Sequence, residues 1–229
     1  MAHDNRLLAH LSAADRKAFN RCCERVALRF GDVLAQPDAQ IRYVYFPLTG
    51  FVSVMVPADK NATLEVGLIG REGMLGATIV LGVDSAPLHA LVQGAGMALR
   101  IPASRFRREL AALPKLRAAI LSYVYVLLRQ VSQTAACTRY HTVEQRLARW
   151  LLMTQDRAFG AEFHLTQEFL AEMLGVRRVG VTQAAGALQG RSLIGYRRGE
   201  IIISDRRGLR NASCGCYASD KRLYQQTLG

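Results

Sequence analysis

The sequence predicts an α+β protein that combines a β-roll, a long helix and a C-terminal helix-turn-helix with a β-hairpin. Three observations support this prediction. In the front half, short apolar runs separated by glycine, proline and aspartate recur about every ten residues. An uninterrupted helical pattern follows Pro114, and two short amphipathic helices joined by a glycine follow Leu165. We place the domains at residues 1–112, 113–140 and 141–229.

The front half is expected to form a barrel or jelly roll, a double-stranded β-helix with an interior pocket. Short strands separated by turns are expected along Leu28-x-x-Gly31-x-x-Leu34 and at Tyr43–Phe46, Phe51–Val56, Leu64–Ile69, Ala77–Leu81, His89–Val92 and Met97–Ile101. Short helices are expected at Ser12–Glu24, before the roll, and at Ser104–Leu110, after it. Such a roll would serve as a sensing or scaffolding domain.

A long helix from Pro114 to about Arg139 should join the two halves, since proline is well tolerated in a first helical turn. Six of its residues recur with the 3.5-residue spacing of a coiled-coil seam. These predicted dimerisation residues are Ile120, Val124, Leu127, Val131, Thr134 and Thr138. A two-fold homodimer is therefore expected. The alternative is a helix buried within its own subunit, which apolar side chains off the seam, such as Tyr123, would also suit.

The segment from Leu165 onward has the layout of a winged helix-turn-helix. Thr166 can cap its first helix, and Gly175 can end that helix in a left-handed conformation. The second helix begins with Arg177 and Arg178, and a hairpin turn is expected at Arg198-Gly199. This pattern predicts a domain that binds double-stranded DNA.

Ten residues of this segment are the candidate DNA contacts. Those expected to face the bases are Arg177, Arg178, Val179, Thr182 and Gln183. Those better placed for phosphates are Thr166, Gln167, Arg191, Arg197 and Arg198. Arginine can bond guanine through two atoms, glutamine prefers adenine, and valine can contact only a thymine methyl. Arg178, Gln183 and Val179 therefore set the expected half-site.

The net charge of +12 is unevenly distributed along the 229 residues. Residues 1–96 are neutral overall, whereas residues 97–140 carry +7 and residues 141–229 carry +5. A basic back half favours a polyanionic partner. No export signal and no apolar run of membrane-spanning length stands out, so we expect a cytoplasmic protein without a membrane partner.

Five cysteines and five histidines provide little support for a metal or catalytic site at the level of sequence. No CxxC or HxxxH spacing occurs, so no metal site is predicted. The cysteines are expected to be small, partly buried apolar residues, and a redox switch at Cys214 and Cys216 is the weaker alternative. No catalytic triad, phosphate-binding loop or carboxylate pair is present, so an enzyme is not expected.

Taken together, these features resemble the Crp/Fnr family of bacterial transcription regulators. The resemblance rests on LRFGDVLAQPDAQIRYVYFPLTGFVSV, on VEQRLARWLL, on LTQEFLAEMLGVRRVGVTQAAGALQ and on the tail CGCYASDKRLY. It implies a cyclic-nucleotide-binding-like roll and a homodimer that binds a near-palindromic promoter site. It also implies RNA polymerase as a partner at promoters, and control by an effector or signal in the roll.

Departures from the family pattern disfavour cyclic AMP as that effector. Met74 and Ala86 stand where the cyclic-nucleotide-binding members have the glutamate that holds the ribose and the arginine that holds the phosphate. Neither can form a charge-assisted hydrogen bond. Arg71, Glu72 and His89 are nearby polar residues that would serve equally well in exposed turns. The chain also lacks the N-terminal cysteines with which oxygen-sensing members hold an iron–sulfur centre, so no cofactor is predicted. A ligand or redox sensor that acts through protein partners is the alternative function.

Overall fold

The computed structural model describes residues 4–57, 63–158 and 162–229. The α-helices are α1 (Ala13–Arg21), α2 (Ala103–Ala112), α3 (Pro114–Tyr140), α4 (Val143–Gln155), α5 (Gln167–Leu174), α6 (Arg178–Gly190), α7 (Arg206–Ala212) and α8 (Cys216–Leu228). The strands are β1 (Glu24–Leu28), β2 (Val33–Ala35), β3 (Tyr43–Pro47), β4 (Phe51–Pro57), β5 (Thr63–Ile69), β6 (His89–Gly94), β7 (Gly96–Pro102), β8 (Glu162–His164), β9 (Ile194–Arg197) and β10 (Glu200–Ile203). This order confirms the predicted α+β class.

One predicted strand is wrong. Ala77–Leu81 forms a 3₁₀ helix, although its apolar composition is typical of a strand. Gly76 and Gly82 flank it with φ of 90° and 83°, in the left-handed region that glycine adopts without steric cost. The chain therefore turns sharply at both ends of the segment instead of extending along a sheet.

Two antiparallel sheets make up the roll. Strand β7 is the centre of a three-stranded sheet with β1 and β3 at its sides, and the four-stranded sheet has the order β2-β6-β4-β5. In the core, the rings of Phe19, Phe46 and Phe106 meet edge to face, with centroids 5.7–6.3 Å apart. Aromatic contacts of this geometry add to the stabilisation from apolar burial.

By their contacts, the described residues fall into two compact units. The first comprises residues 4–54, 68–129 and 224–229, and the second comprises residues 55–57, 63–67, 130–158 and 162–223. These limits differ from the predicted boundaries after residues 112 and 140. Helix α3 contributes to both units, and residues 55–57 of β4 and 63–67 of β5 belong to the second.

The part of the first unit that corresponds to the family's ribose-binding motif is packed with apolar side chains. Met74 is fully buried in the core, and Ala86 is 4% exposed. A Cβ atom added to Gly73 would lie 2.2 Å from the hydroxyl oxygen of Tyr123, so the ring occupies the space beside this backbone. Glu72 accepts a hydrogen bond from the Gly70 amide at 3.1 Å, which closes a local turn.

The face of helix α3 that is exposed to solvent is not the predicted seam. Ile120 is fully buried in the core of its own unit, so the prediction that it belongs to an intersubunit seam is wrong. Val124 and Leu127 also pack against that core. Four exposed apolar side chains in the middle of α3, here called the outer strip, are Leu121, Tyr125, Leu128 and Val131; a fifth, Tyr140, lies at the end of the helix. Of the predicted seam only Val131 is in this strip, since Thr134 and Thr138 are half-buried.

Among the described residues, no single helix has both the length and the apolar character needed to cross a membrane. Helices α2 and α3, bent by 115° at their junction, pass that test as a pair by length and composition alone.

Candidate nucleic-acid interface

The first helix of the helix-turn-helix, α5, is capped at both ends. The Thr166 side chain accepts a hydrogen bond from the Phe169 amide at 3.1 Å and so begins α5. Gly175 ends α5 with φ of 59°, as its position in the sequence predicts. The buried guanidinium of Arg146 on α4 donates to the Leu174 carbonyl and satisfies an acceptor at the end of α5.

Helix α6 is fixed by its apolar face and leaves its polar face in solvent. The buried residues are the predicted ones: Val181, Ala184, Ala185 and Leu188. Because this face packs on α4 and α5, the opposite face, which begins with Arg178, is free to enter a groove of DNA. Arg178 itself is well exposed, at 67% of its side chain.

A β-hairpin follows α6, and its turn has the expected sequence and geometry. Arg198 and Gly199 have φ of 52° and 85°, and two successive positive values are typical of the type I′ turn that joins twisted strands. Strand β10 pairs with β9 and also with β8, a strand absent from the sequence prediction. The Tyr196 hydroxyl donates to the Leu165 carbonyl at 2.8 Å, and partial burial raises the pKa of this phenol.

The start of α5, the exposed face of α6 and the hairpin turn enclose one open groove of about 530 Å³. Five of the ten predicted DNA contacts line it: Thr166, Gln167, Arg178, Thr182 and Arg198. The groove also contains residues that the sequence analysis missed: Glu168, Ala185, Gly186, Gln189, Tyr196 and Gly199. The sequence could have indicated Glu168 and Gln189, because both lie on the polar face of an amphipathic helix.

The other five predicted contacts are exposed but do not line the groove: Arg177, Val179, Gln183, Arg191 and Arg197. Arg191 forms an ion pair with Glu144 of α4. A phosphate contact by Arg191 would therefore compete with a partner inside the chain.

Polar side chains in the groove hold one another in place. A carboxylate oxygen of Glu168 lies 3.9 Å from Nη1 of Arg178. The Thr182 hydroxyl lies 2.7 Å from Oε1 of Gln167 and 3.1 Å from the Arg178 carbonyl oxygen. These contacts restrict the side chains before DNA binds, which lowers the entropy cost of ordering them on binding.

A second group of functional residues lies elsewhere in the same unit. Cys137, His141, Cys214 and Cys216 each offer a ligand atom, and the four atoms lie within 4.8 Å of one another. The hydrogen bond from the Cys214 thiol lowers the pKa of Cys137, and the same bond raises that of Cys214. The sequence did not predict this cluster, because it contains neither a histidine pair nor CxxC. The signal that could have indicated it is Cys137 and His141, four residues apart at the end of a predicted helix.

The fold and the groove define a winged helix-turn-helix protein, a class that reads DNA with its second helix. Residues 145–212 match the family model of the Crp-like helix-turn-helix domain. This part of the chain is thus a Crp-like helix-turn-helix domain, which confirms the resemblance stated above for these residues.

Solved structures extend the likeness in fold beyond this domain. The c-di-GMP-responsive global regulator CLP of Xanthomonas campestris is 17% identical with a TM-score of 0.69, over 84% of this chain and 99% of that one. FixK2 from Bradyrhizobium japonicum is 17% identical with a TM-score of 0.70, over 84% and 98%. A Crp/Fnr-family transcriptional regulator from Eubacterium rectale is 18% identical with a TM-score of 0.66, over 90% and 96%. A comparison with curated protein sequences finds no match.

Proposed function

We propose that the chain is a non-enzymatic transcription regulator that binds a near-palindromic promoter site as a homodimer and acts on RNA polymerase there. The observation that carries this proposal is the groove that brings together Arg178, Thr182 and Arg198. Arg178 and Thr182 offer hydrogen-bond donors for base edges, and Arg198 offers a cation for the phosphate backbone of DNA. The half-site would begin with a guanine read by Arg178.

The dimer would form along the outer strip of α3. Leu121, Tyr125 and Leu128 follow one another at the spacing of a single helix face, and Leu128 is 64% exposed. A second copy with the same strip would cover these side chains in an isologous contact. Two-fold symmetry would then present two α6 helices to half-sites about one helical turn of DNA apart.

The effector would be something other than cyclic AMP in the pose known for the family. Burial of Met74 and the ring of Tyr123 beside Gly73 support this, because apolar packing stands where the ribose would need a carboxylate. The local hydrogen bond of Glu72 further favours a structural over a ligand-binding role for this side chain.

Selection of bound sites from a random DNA pool tests the function. The protein is used without effector, and its oligomeric state is measured at the same concentration. We expect enriched palindromes whose half-sites lie about 10 base pairs apart, bound by a dimer. Unselective binding, or selection of single half-sites by a monomer, would contradict the proposal.

Replacing Arg198 by asparagine should weaken DNA binding about equally on all sequences. Asn-Gly is the preferred pair for a type I′ turn, so the Arg198→Asn variant removes the charge while keeping the hairpin. We expect the plot of log K against log salt concentration to become less steep, by about 0.9, which is the contribution of one phosphate contact. Fluorescence anisotropy titrations at several salt concentrations measure it, and a loss confined to one base position would refute a phosphate role.

A further inference from the structure

The cluster in the second unit has the composition and spacing of a closed metal site. Cys137 lies in the last turn of α3 and His141 directly follows the helix; the His141 amide donates to the Cys137 carbonyl at 3.1 Å, so the two side chains keep the i, i+4 relation that places them on one face. Cys214 lies in the connection between α7 and α8, and Cys216, beyond a single glycine, is the first residue of α8. Three of the four residues are buried and His141 is half-buried.

Two of the distances between the ligand atoms match the edges of a tetrahedron around one zinc ion. With Zn–S bonds of about 2.3 Å and a Zn–N bond of about 2.0–2.1 Å, tetrahedral angles require S···S of about 3.8 Å and S···N of about 3.6 Å. Here Sγ of Cys137 and Sγ of Cys214 are 3.5 Å apart, and Sγ of Cys216 and Nδ1 of His141 are 3.6 Å apart. The other distances are at most 4.8 Å, so the ligand atoms need to approach one another by no more than about 1 Å to bind one ion.

Neighbouring groups would stabilise the thiolate form of the site. Nε2 of Gln133, one turn before Cys137 on α3, lies 3.1 Å from Sγ of Cys216 and donates to it. Such donors orient ligands and balance their charge in metal sites. Arg146 and Arg149 are buried and line the same small cavity as Cys137. Three thiolates and one zinc carry a net charge of −1, which nearby guanidinium groups offset.

We propose that Cys137, His141, Cys214 and Cys216 bind one structural zinc ion. Three thiolates and one imidazole are a common zinc-binding set, and four protein ligands leave no position for a substrate. The ion would fasten the start of α8 to the end of α3. One turn further along α8, Asp220 is held by Arg149 at 2.7 Å, so α8 would have two adjacent anchors.

Metal analysis of the full-length protein, purified without oxygen from zinc-supplemented cells, tests the proposal. We expect about one zinc per chain in the wild type and almost none in the Cys214→Ser/Cys216→Ser double variant. The matched control is Cys22→Ser/Cys23→Ser, which removes two adjacent thiols of the first unit. It should keep the full zinc content.

Two further measurements do not depend on the folding of the double variant. Cobalt(II) in place of zinc should give the visible absorption of a tetrahedral thiolate complex in the wild type. His141→Cys should retain one metal ion and add thiolate-to-cobalt charge transfer. The assignment would be wrong if the wild type contained no zinc or if both double variants contained equal amounts. It would also be wrong if the protein contained iron with labile sulfide, or if the oxygen-free protein had a disulfide between Cys137 and Cys214.

Discussion

Replacing Asp220 by asparagine is expected to lower the free energy of unfolding by about 3–5 kcal/mol. Its carboxylate lies 2.7 Å from the Arg149 guanidinium, and both side chains are only 8% exposed. Asparagine keeps the shape but leaves the buried Arg149 guanidinium without its carboxylate partner, so the cost of desolvating this cation is no longer offset by the ion pair. Urea unfolding followed by circular dichroism measures the change.

An exposed ion pair of the first unit provides the control. Nη2 of Arg100 lies 2.6 Å from a carboxylate oxygen of Glu24, which is 64% exposed. Glu24→Gln should cost less than about 1 kcal/mol, because water already solvates that pair. Similar losses for the two variants would show that burial does not govern the Arg149–Asp220 pair.

Arg178→Ala is expected to weaken binding to the selected site by about 1–3 kcal/mol, or roughly 5- to 150-fold. The reason is loss of a two-atom contact to guanine, so preference at a single base pair of each half-site should relax. Repeating the site selection with the variant, alongside anisotropy titrations, measures both quantities.

Arg207→Ala is the charge-matched control for that experiment. Arg207 is exposed on α7 and does not line the groove, so its removal should leave base preference unchanged. If Arg178→Ala lowers affinity by the same factor on every sequence, Arg178 contacts phosphate and does not read a base.

Local chemistry explains why much of the second unit was predictable. The caps at Thr166 and Gly175, the buried face of α6 and the turn at Arg198 each depend on residues close together in the chain. The third strand, β8, was missed because three residues are too few to show an alternating pattern.

Features that depend on distant residues were not predictable in the same way. The 3.5-residue period in the sequence of α3 predicts an apolar face, but it does not say what covers that face. In the structure the core of the same unit covers Ile120. Likewise, Cys137 and Cys214 are 77 residues apart in the sequence and meet only because the connection between α7 and α8 returns to α3. The Glu168–Arg178 contact joins two helices whose packing the sequence pattern does not specify.

In the proposed dimer, the outer strip would also determine how the regulator responds to its own abundance. Its apolar side chains, Tyr125 and Leu128 among them, would favour pairing, and pairing depends on concentration. Where copies are scarcer than the dissociation constant of the dimer, the amount of dimer rises with the square of total protein. Promoter occupancy would then have a threshold, so a modest change in synthesis would switch a target gene without any change in the protein itself.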